Sequence, residues 1–329
     1  MPTRHRALLI LAALCGLAIA SLVLALVVGS LSIPVGEVFD SLTGENVDAT
    51  GEVVRGLRLP RALIGFACGG LLALAGALLQ VLLRNPLADP YVLGISGGAG
   101  IGALLAIVLG FGAAATNGLS FAGALAAMLL VFGLAHGEGG WTQTRLLLTG
   151  VIVASGCGAV ITLMLAIAPD DRLRGMLFWL MGDLSQAGEP RLVLALLAAI
   201  LLLSLPFARE LNVLARGNDI AQALGVAVRT LRRGIYFVAS LATAVAVTHA
   251  GAIGFVGLIV PRLVRLAAGN DQRLLLPASV LAGGSLLVIA DTLARTILAP
   301  QQLPVGVLTA LIGVPVFLVL LARTDPRNG

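Results

Sequence analysis

Lysine is absent from this chain of 329 residues, and all 21 basic residues are arginines. A P-loop places a lysine on the β- and γ-phosphates of a nucleotide, and Schiff-base chemistry uses a lysine amine. Both chemistries are therefore excluded. In particular, the chain cannot hydrolyse ATP through a P-loop of its own.

Charged and aromatic residues are also scarce. Charged residues make up 11% of the chain and aromatic residues 4%, against 59% hydrophobic residues and a mean hydropathy of +1.04. About a quarter of the residues in a soluble domain are charged, and no soluble fold of this size could bury so much apolar surface. Because a membrane-spanning helix uses about 20 apolar residues, the composition is sufficient for about ten spans and leaves no room for a large extramembrane domain.

Cysteine and histidine are too few and too scattered to form a metal site or a disulfide framework. No Ser-His-Asp, Cys-His or paired-carboxylate arrangement is present either. We therefore expect no catalytic residue, no bound metal and no cofactor. The residues concerned are Cys15, Cys68, Cys157, His5, His136 and His249.

Long apolar runs predict an all-α integral membrane protein with a single transmembrane domain covering 1–329. The 41 glycines predict close helix packing, since small residues allow transmembrane backbones to approach each other. The first run, 8–30, is longer than a signal-peptide core and is predicted to be a retained span. The ten runs are 8–30, 60–83, 92–112, 118–135, 144–168, 190–207, 230–250, 253–268, 274–298 and 304–322.

The arginine distribution predicts that both termini are cytoplasmic. With ten spans in that orientation, fourteen arginines fall inside and seven outside, as the positive-inside rule favours. The net charge of +5 is therefore attributed to cytoplasmic loops and not to a nucleic-acid partner. The outside set is Arg55, Arg58, Arg61, Arg172, Arg174, Arg191 and Arg295.

Three hydrophilic stretches separate the runs. Residues 31–58 and 169–191 are predicted to be outside loops, and 208–233 is predicted to be the longest inside loop. Its apolar spacing favours two short amphipathic helices hinged near Gly217 and Asn218. Such helices either contact a partner protein or lie on the lipid surface.

Three motifs are more specific than apolar composition. RNPLADP occupies 84–90, LNVLARGN occupies 211–218, and LPVG at 303–306 is followed by GVP at 313–315. These segments strongly resemble the FecCD-type permease subunits of ATP-binding-cassette importers for iron–siderophore complexes, haem and cobalamin. The resemblance covers about residues 55–322. Family members often carry His where Arg262 stands and Glu where Gln302 stands.

The resemblance implies a permease subunit in the bacterial cytoplasmic (inner) membrane that moves a chelated-iron compound by alternating access. It also implies three kinds of protein partner: a second permease copy or close relative, two cytoplasmic ATPase subunits and an extracytoplasmic substrate-binding protein. ATP hydrolysis would take place on the ATPase subunits.

The family pattern also implies roles for individual residues. Arg58, Arg61 and Arg295 are expected to dock the binding protein, although Arg58 and Arg61 could instead pair with Glu52 or cap a helix. Gln80, Asn85, Pro86 and Asp183 are candidates for the pathway. The residues expected to couple to the ATPase are Leu214, Ala215, Arg216, Gly217, Asn218, Ala221, Leu224, Gly225 and Val226.

Two carboxylates near apolar runs suggest an alternative function. An ion-coupled secondary transporter would use Asp291 and Asp183, because intramembrane carboxylates commonly serve ion transport. However, Arg295 follows Asp291 at i+4, a spacing that places both side chains on one helix face. We therefore predict a structural ion pair between Asp291 and Arg295.

Overall fold

A computed structural model describes residues 4–29, 32–44, 49–135, 142–185 and 188–322. The protein is 83% helical, and these ranges contain no β-strand, which confirms the all-α prediction. His136 and the predicted cytoplasmic C-terminal segment 323–329 lie outside the described residues.

Fifteen α-helices are present in the described ranges. In chain order they are α1 (Arg4–Val27), α2 (Val35–Thr43), α3 (Ala49–Glu52), α4 (Leu59–Leu82), α5 (Ile95–Val108), α6 (Ala113–Leu134), α7 (Gln143–Ile167), α8 (Asp170–Leu180), α9 (Pro190–Ser204), α10 (Ala208–Leu214), α11 (Asn218–Ala223), α12 (Val228–Ala250), α13 (Val256–Ala268), α14 (Gln272–Thr296) and α15 (Val305–Ala322).

Eight helical segments in the described ranges are long and apolar enough to cross a membrane. The other two predicted spans are the shorter helices α5 and α13. The helix α13 begins against the middle of α4, with Gly257 packed on the Leu72 carbonyl, and follows the non-helical residues 251–255. Non-helical backbone of this kind is tolerated in a membrane protein when it is buried in protein. The count of ten spans and the cytoplasmic termini stay predictions.

The helix α4 is the centre of the bundle. Its span is 89% buried, and it packs mainly against α14 and α12. A side chain at Gly69 would collide with the Gly283 carbonyl on α14, and one at Gly76 would collide with the Gly257 carbonyl on α13. Glycine is therefore required where α4 touches these two helices, and this explains part of the high glycine content.

Both hydrophilic stretches predicted to lie outside contain helices. Residues 35–43 form α2, and α3 continues through a π-helical segment, Val53–Arg58, directly into α4. The Leu59 amide donates to the Val54 carbonyl five residues earlier, next to Pro60, which has no amide hydrogen to donate. The second stretch contains α8. The helix pair predicted in 208–233 is present as α10 and α11.

Candidate translocation and coupling site

Asp291 on α14 is the centre of a buried ionic cluster. Arg61 of α4 donates from Nε to Oδ2 at 2.9 Å and from Nη2 to Oδ1 at 2.8 Å, a bidentate pair. The Arg295 Nε lies 3.2 Å from Oδ2, which confirms the predicted i,i+4 ion pair. Arg61 also donates from Nη1 to Gln302 Oε1 at 2.9 Å, so this neutral amide contacts the cluster.

Arg58 and Arg295 also cap the end of α1. Arg58 Nη1 donates to the carbonyls of Leu26 and Val27 at 2.6 and 3.2 Å, and Arg295 Nη2 donates to the Ala25 carbonyl at 3.3 Å. The last carbonyls of a helix have no partner within the helix and carry partial negative charge. The two guanidinium groups therefore fix the end of α1 against α4 and α14.

The three predicted docking arginines thus lie together and largely inside the protein. Arg61 pairs with Asp291 and not with Glu52, and the side chains of Arg61 and Arg295 are only 12% and 10% exposed. Arg61 and Arg295 share the Asp291 carboxylate, and Arg58 beside them donates to the carbonyls of Leu26 and Val27. Docking through these residues stays a prediction.

Asp183 lines a cavity of about 590 Å³ together with Trp179 and His249. Its carboxylate accepts hydrogen bonds from the backbone amide and the hydroxyl of Ser185 at 2.7 and 2.6 Å. The Asp183 amide donates to the Ala250 carbonyl at 2.9 Å, which joins the end of α8 to the end of α12. Asp183 therefore lies at a junction of helix ends beside a polar cavity.

The other pathway candidates lie at a second, separate cavity of about 900 Å³. Gln80 and Pro86 line it, whereas Asn85 accepts a hydrogen bond from the Leu87 amide at 2.9 Å and is not part of its lining. Gln80 also donates to the Leu258 carbonyl at 3.1 Å, across the contact between α4 and α13. The four candidates do not form one continuous path within a single chain.

The RNPLADP motif forms the turn between α4 and α5. Asp89 accepts a hydrogen bond from the Tyr91 amide at 2.8 Å, and the Tyr91 hydroxyl accepts one from the Ile253 amide at 2.8 Å. Burial raises the pKa of the Asp89 carboxyl to about 6, although the hydrogen bond from the Tyr91 amide acts in the opposite direction and lowers it. The motif therefore links the start of α5 to the segment before α13.

The predicted coupling residues lie in a compact element, defined as residues 208–226. This element is shorter than the predicted coupling loop 208–233, because α12 begins at Val228. Leu211, Leu214 and Ala221 are buried, whereas Ile220 and Leu224 are 48% and 67% exposed. Ile220 and Leu224 are four residues apart, so they form one apolar projection at the end of α11. The hinge between α10 and α11 lies at Gly217, with φ of 141°, as predicted.

A polar contact fastens the coupling element to α14, and sequence reasoning missed it. The Asn212 side chain donates to Asp271 Oδ1 at 2.8 Å and accepts from the Gln272 amide at 2.8 Å. Asp271 caps α14 by accepting from the Arg273 amide at 3.1 Å. An aspartate before an apolar run signals a helix start, but nothing in the sequence pairs it with Asn212, 59 positions earlier.

An all-helical bundle with membrane-length helices around a buried central helix, and a short helix pair fastened beside it, defines a multi-pass membrane permease. The chain belongs to the FecCD transport family, whose model matches residues 17–323. It is accordingly a permease subunit of an ATP-binding-cassette importer in the inner membrane.

Three curated relatives illustrate the family. The chain is 41% identical to an ABC transporter permease protein of Bacillus subtilis (strain 168), with 92% of this chain and 90% of that protein covered. It is 44% identical to a cobalamin import system permease protein of Halobacterium salinarum, with coverage of 85% and 76%. It is 39% identical to a hemin transport system permease protein of Yersinia pestis, with 92% of each covered.

A solved structure shares the whole fold. A chain described as a metal-chelate type ABC transporter in an inward-facing conformation aligns with a TM-score of 0.83 at 30% identity. The alignment covers 96% of this chain and 99% of that one.

Proposed function

We propose that this chain translocates a chelated-iron compound, a ferric siderophore in the first instance, with haem or cobalamin as the other candidates. The relatives named for cobalamin and hemin import and the neighbour described as metal-chelate type support this class of cargo. These ligands share a macrocycle or chelator around a metal, so the cargo is bulky and polar.

The coupling element is the observation that carries this proposal. An apolar projection of Ile220 and Leu224 is exposed at the end of a helix pair whose other face is buried. An exposed apolar helix end favours burial against a protein partner. We propose that this partner is a cytoplasmic ATPase subunit. Two such subunits would serve a pair of permease subunits.

The contact of Asn212 with Asp271 and Gln272 supports a mechanical route from the ATPase to the bundle. Movement of α10 is transmitted to the start of α14, which packs along α4 and carries Asp291 near its other end. In this proposal, ATP-driven closure of the ATPases pulls on the coupling element, and two permease subunits rock to open the path alternately to each side.

The cationic cluster is proposed as part of the surface that receives the loaded binding protein. Arg61 is the most suitable of the three arginines, because its side chain is 12% exposed, against 10% for Arg295, and Arg58 is buried. Carboxylates of the binding protein would be attracted by the guanidinium of Arg61, and Arg can orient them through bidentate pairing.

The ion-coupled alternative is disfavoured by the surroundings of both carboxylates. Asp291 is held by two arginines, and Asp183 accepts two hydrogen bonds from Ser185. A carboxylate that shuttles a cation or a proton must be free to exchange partners.

Uptake into proteoliposomes tests the proposed function. The permease is reconstituted with its ATPase and binding protein, and radiolabelled ferric siderophore, haem and cobalamin are supplied separately. We expect the vesicles to take up one of the three ligands. This uptake should require the permease, the ATPase and the binding protein together, with ATP on the side of the membrane where the ATPase lies. Uptake driven by an ion gradient without the ATPase would overturn the proposal.

A further inference from the structure

The cavity of about 900 Å³ has an unusual charge for a membrane protein. Four arginines line it, one each from α1, the turn after α4, the end of α10 and α13, and a single acid lies among them. That acid, Asp271, already accepts hydrogen bonds from Asn212 and from the Arg273 amide. The four arginines are Arg6, Arg84, Arg216 and Arg265.

The cationic groups of this cavity have few acidic partners among the described residues. Within the described ranges, Arg84, Arg216 and Arg265 form no ion pair, and Arg6 donates to the Ala267 carbonyl at 3.3 Å. Four like charges around one cavity repel each other, so an anion bound between them would be stabilised.

Two buried amides give independent evidence that the cavity holds a polar ligand. Gln272 and Gln80 are 2% and 4% exposed, and both line the cavity. Their Oε1 atoms accept no hydrogen bond from the residues that the structure describes. Buried polar atoms are normally paired, and donors such as the hydroxyl groups of a glycerol headgroup, or water molecules around a phosphate, would pair these two acceptor oxygens.

The position of the cavity indicates the source of the anion. Its lining includes Arg6 of α1, a helix whose span is only 22% buried, and Leu266, which is 69% exposed. An exposed apolar side chain in the lining is typical of a surface that faces lipid. In the orientation of the proposed function, this end of the bundle lies at the inner leaflet, where anionic phospholipids meet basic pockets between helices.

We propose that this cavity binds the phosphate headgroup of an anionic phospholipid from the inner leaflet. The phosphate lies among the four guanidinium groups, each of which offers a planar pair of donors suited to phosphate oxygens. Arg216 belongs to the coupling element, and Asn212 of the same element also lines the cavity. A bound lipid therefore contacts the part of the permease that is expected to receive the ATPase.

Lipid retention by the permease alone tests this proposal. The protein is extracted from nanodiscs of equimolar phosphatidylglycerol and phosphatidylcholine, and bound lipids are counted by native mass spectrometry. The wild-type chain should retain phosphatidylglycerol over phosphatidylcholine by about tenfold or more, and R84Q/R265Q should lose this preference. The single variant R84Q, at an exposed position, should lose part of this lipid preference. It therefore tests the proposal even if the double variant fails to fold.

The matched control is R172Q/R191Q, which removes two exposed arginines that pair with Asp171 and Glu189 elsewhere on the protein. It should keep the full preference. Equal preference in R84Q/R265Q and the wild-type chain would overturn the proposal. Inorganic phosphate could instead bind saturably and displace the lipid at a concentration similar to that at which the lipid binds. That result would assign the cavity to a soluble anion.

A third outcome would assign the cavity to a protein contact. If the ATPase subunit displaces the retained lipid stoichiometrically, the arginines belong to the permease–ATPase interface and the lipid assignment is wrong. None of these measurements uses the transported compound or the binding protein. Failure of lipid binding can therefore be distinguished from failure of the proposed transport function, which is measured by uptake.

Discussion

At the scale of single residues, the cluster around Asp291 shows how an apolar bundle accommodates charge. One carboxylate is shared by two arginines, and a third arginine is satisfied by carbonyls at the end of α1. Replacing Asp291 by Asn should leave two buried cations without their counter-ion. Loss of one partner of a buried pair costs about 3–5 kcal/mol, so we expect a markedly lower thermal unfolding midpoint in detergent.

The control for D291N is D171N, which breaks the exposed pair between Asp171 and Arg172. Pairs of that kind contribute about 0–1 kcal/mol, so this variant should unfold close to the wild-type temperature. Equal midpoints for D291N and D171N would show that the cluster is not a structural element.

Asp89 predicts a pH dependence of stability. Its carboxyl has a pKa of about 6 in the folded protein, against an ordinary value of 3.8, because burial disfavours the charged form. As pH rises from about 4 to about 6, the unfolded chain releases this proton first, so the folded state loses stability across that window. Relative to D89N, the wild-type unfolding midpoint should therefore fall with rising pH.

The D89N substitution keeps an oxygen that can accept the hydrogen bond from the Tyr91 amide, so the comparison isolates the charge. The control D219N changes an exposed acid on α11 and should follow the wild-type pH profile. Parallel profiles for D89N and the wild-type chain between pH 4 and 6 would contradict the prediction.

Residue pairs on one helix were predictable, and pairs across helices were not. The spacing of Asp291 and Arg295 is enough to predict their contact. The stronger pair of Asp291 with Arg61 joins residues 230 positions apart and depends on how α4 packs on α14. The contact of Asn212 with Asp271 was missed for the same reason.

At the scale of elements, the coupling element contains two glycines with a positive φ, Gly217 and Gly225. Gly225 has φ of 79°, a conformation that β-branched residues adopt only with strain, while nothing within 4 Å would obstruct a side chain. Replacing Gly225 by Val should therefore distort the turn through backbone strain alone. We expect ATP-driven uptake to fall severalfold, with transport-linked ATPase activity reduced in reconstituted vesicles.

The matched substitution is G225N, because asparagine tolerates a positive φ better than other side chains. It should retain most of the uptake, although it also adds a side chain at the same point. If G225V and G225N transport equally well, the conformation of this turn does not matter for coupling.

Helix existence was largely predictable, and helix limits were less so. Apolar runs located every long helix, because a span needs about 20 apolar residues. The runs 92–112 and 253–268 contain α-helices of 14 and 13 residues. A 3₁₀ turn, Pro90–Leu93, precedes the first of them, and the non-helical residues 251–255 precede the second. Hydropathy does not distinguish such backbone from helix. Likewise, the acidic residues in 31–58 suggested a loop, although most of the described part is helical.

At the scale of the whole molecule, the exposed face of α7 is the surface on which we expect a second permease subunit to bind. Only 6% of its span is buried within one chain, yet the exposed face includes Ser155, Gly156 and Gly158. Small residues on a transmembrane helix allow close helix contact, whereas a helix that faces only lipid gains nothing from them. We therefore expect α7 to lie at the contact between two permease copies.

Replacing Gly158 by Leu tests this arrangement, because a side chain there meets no atom within 4 Å in the single chain. The protomer should fold normally, while a bulky residue between two copies should raise the dimer dissociation constant about tenfold, or 1.4 kcal/mol. Sedimentation equilibrium in detergent measures this constant. The control is G16L on α1, where a side chain also meets open space. Equal dissociation constants for G158L, G16L and the wild-type chain would place the contact on another helix.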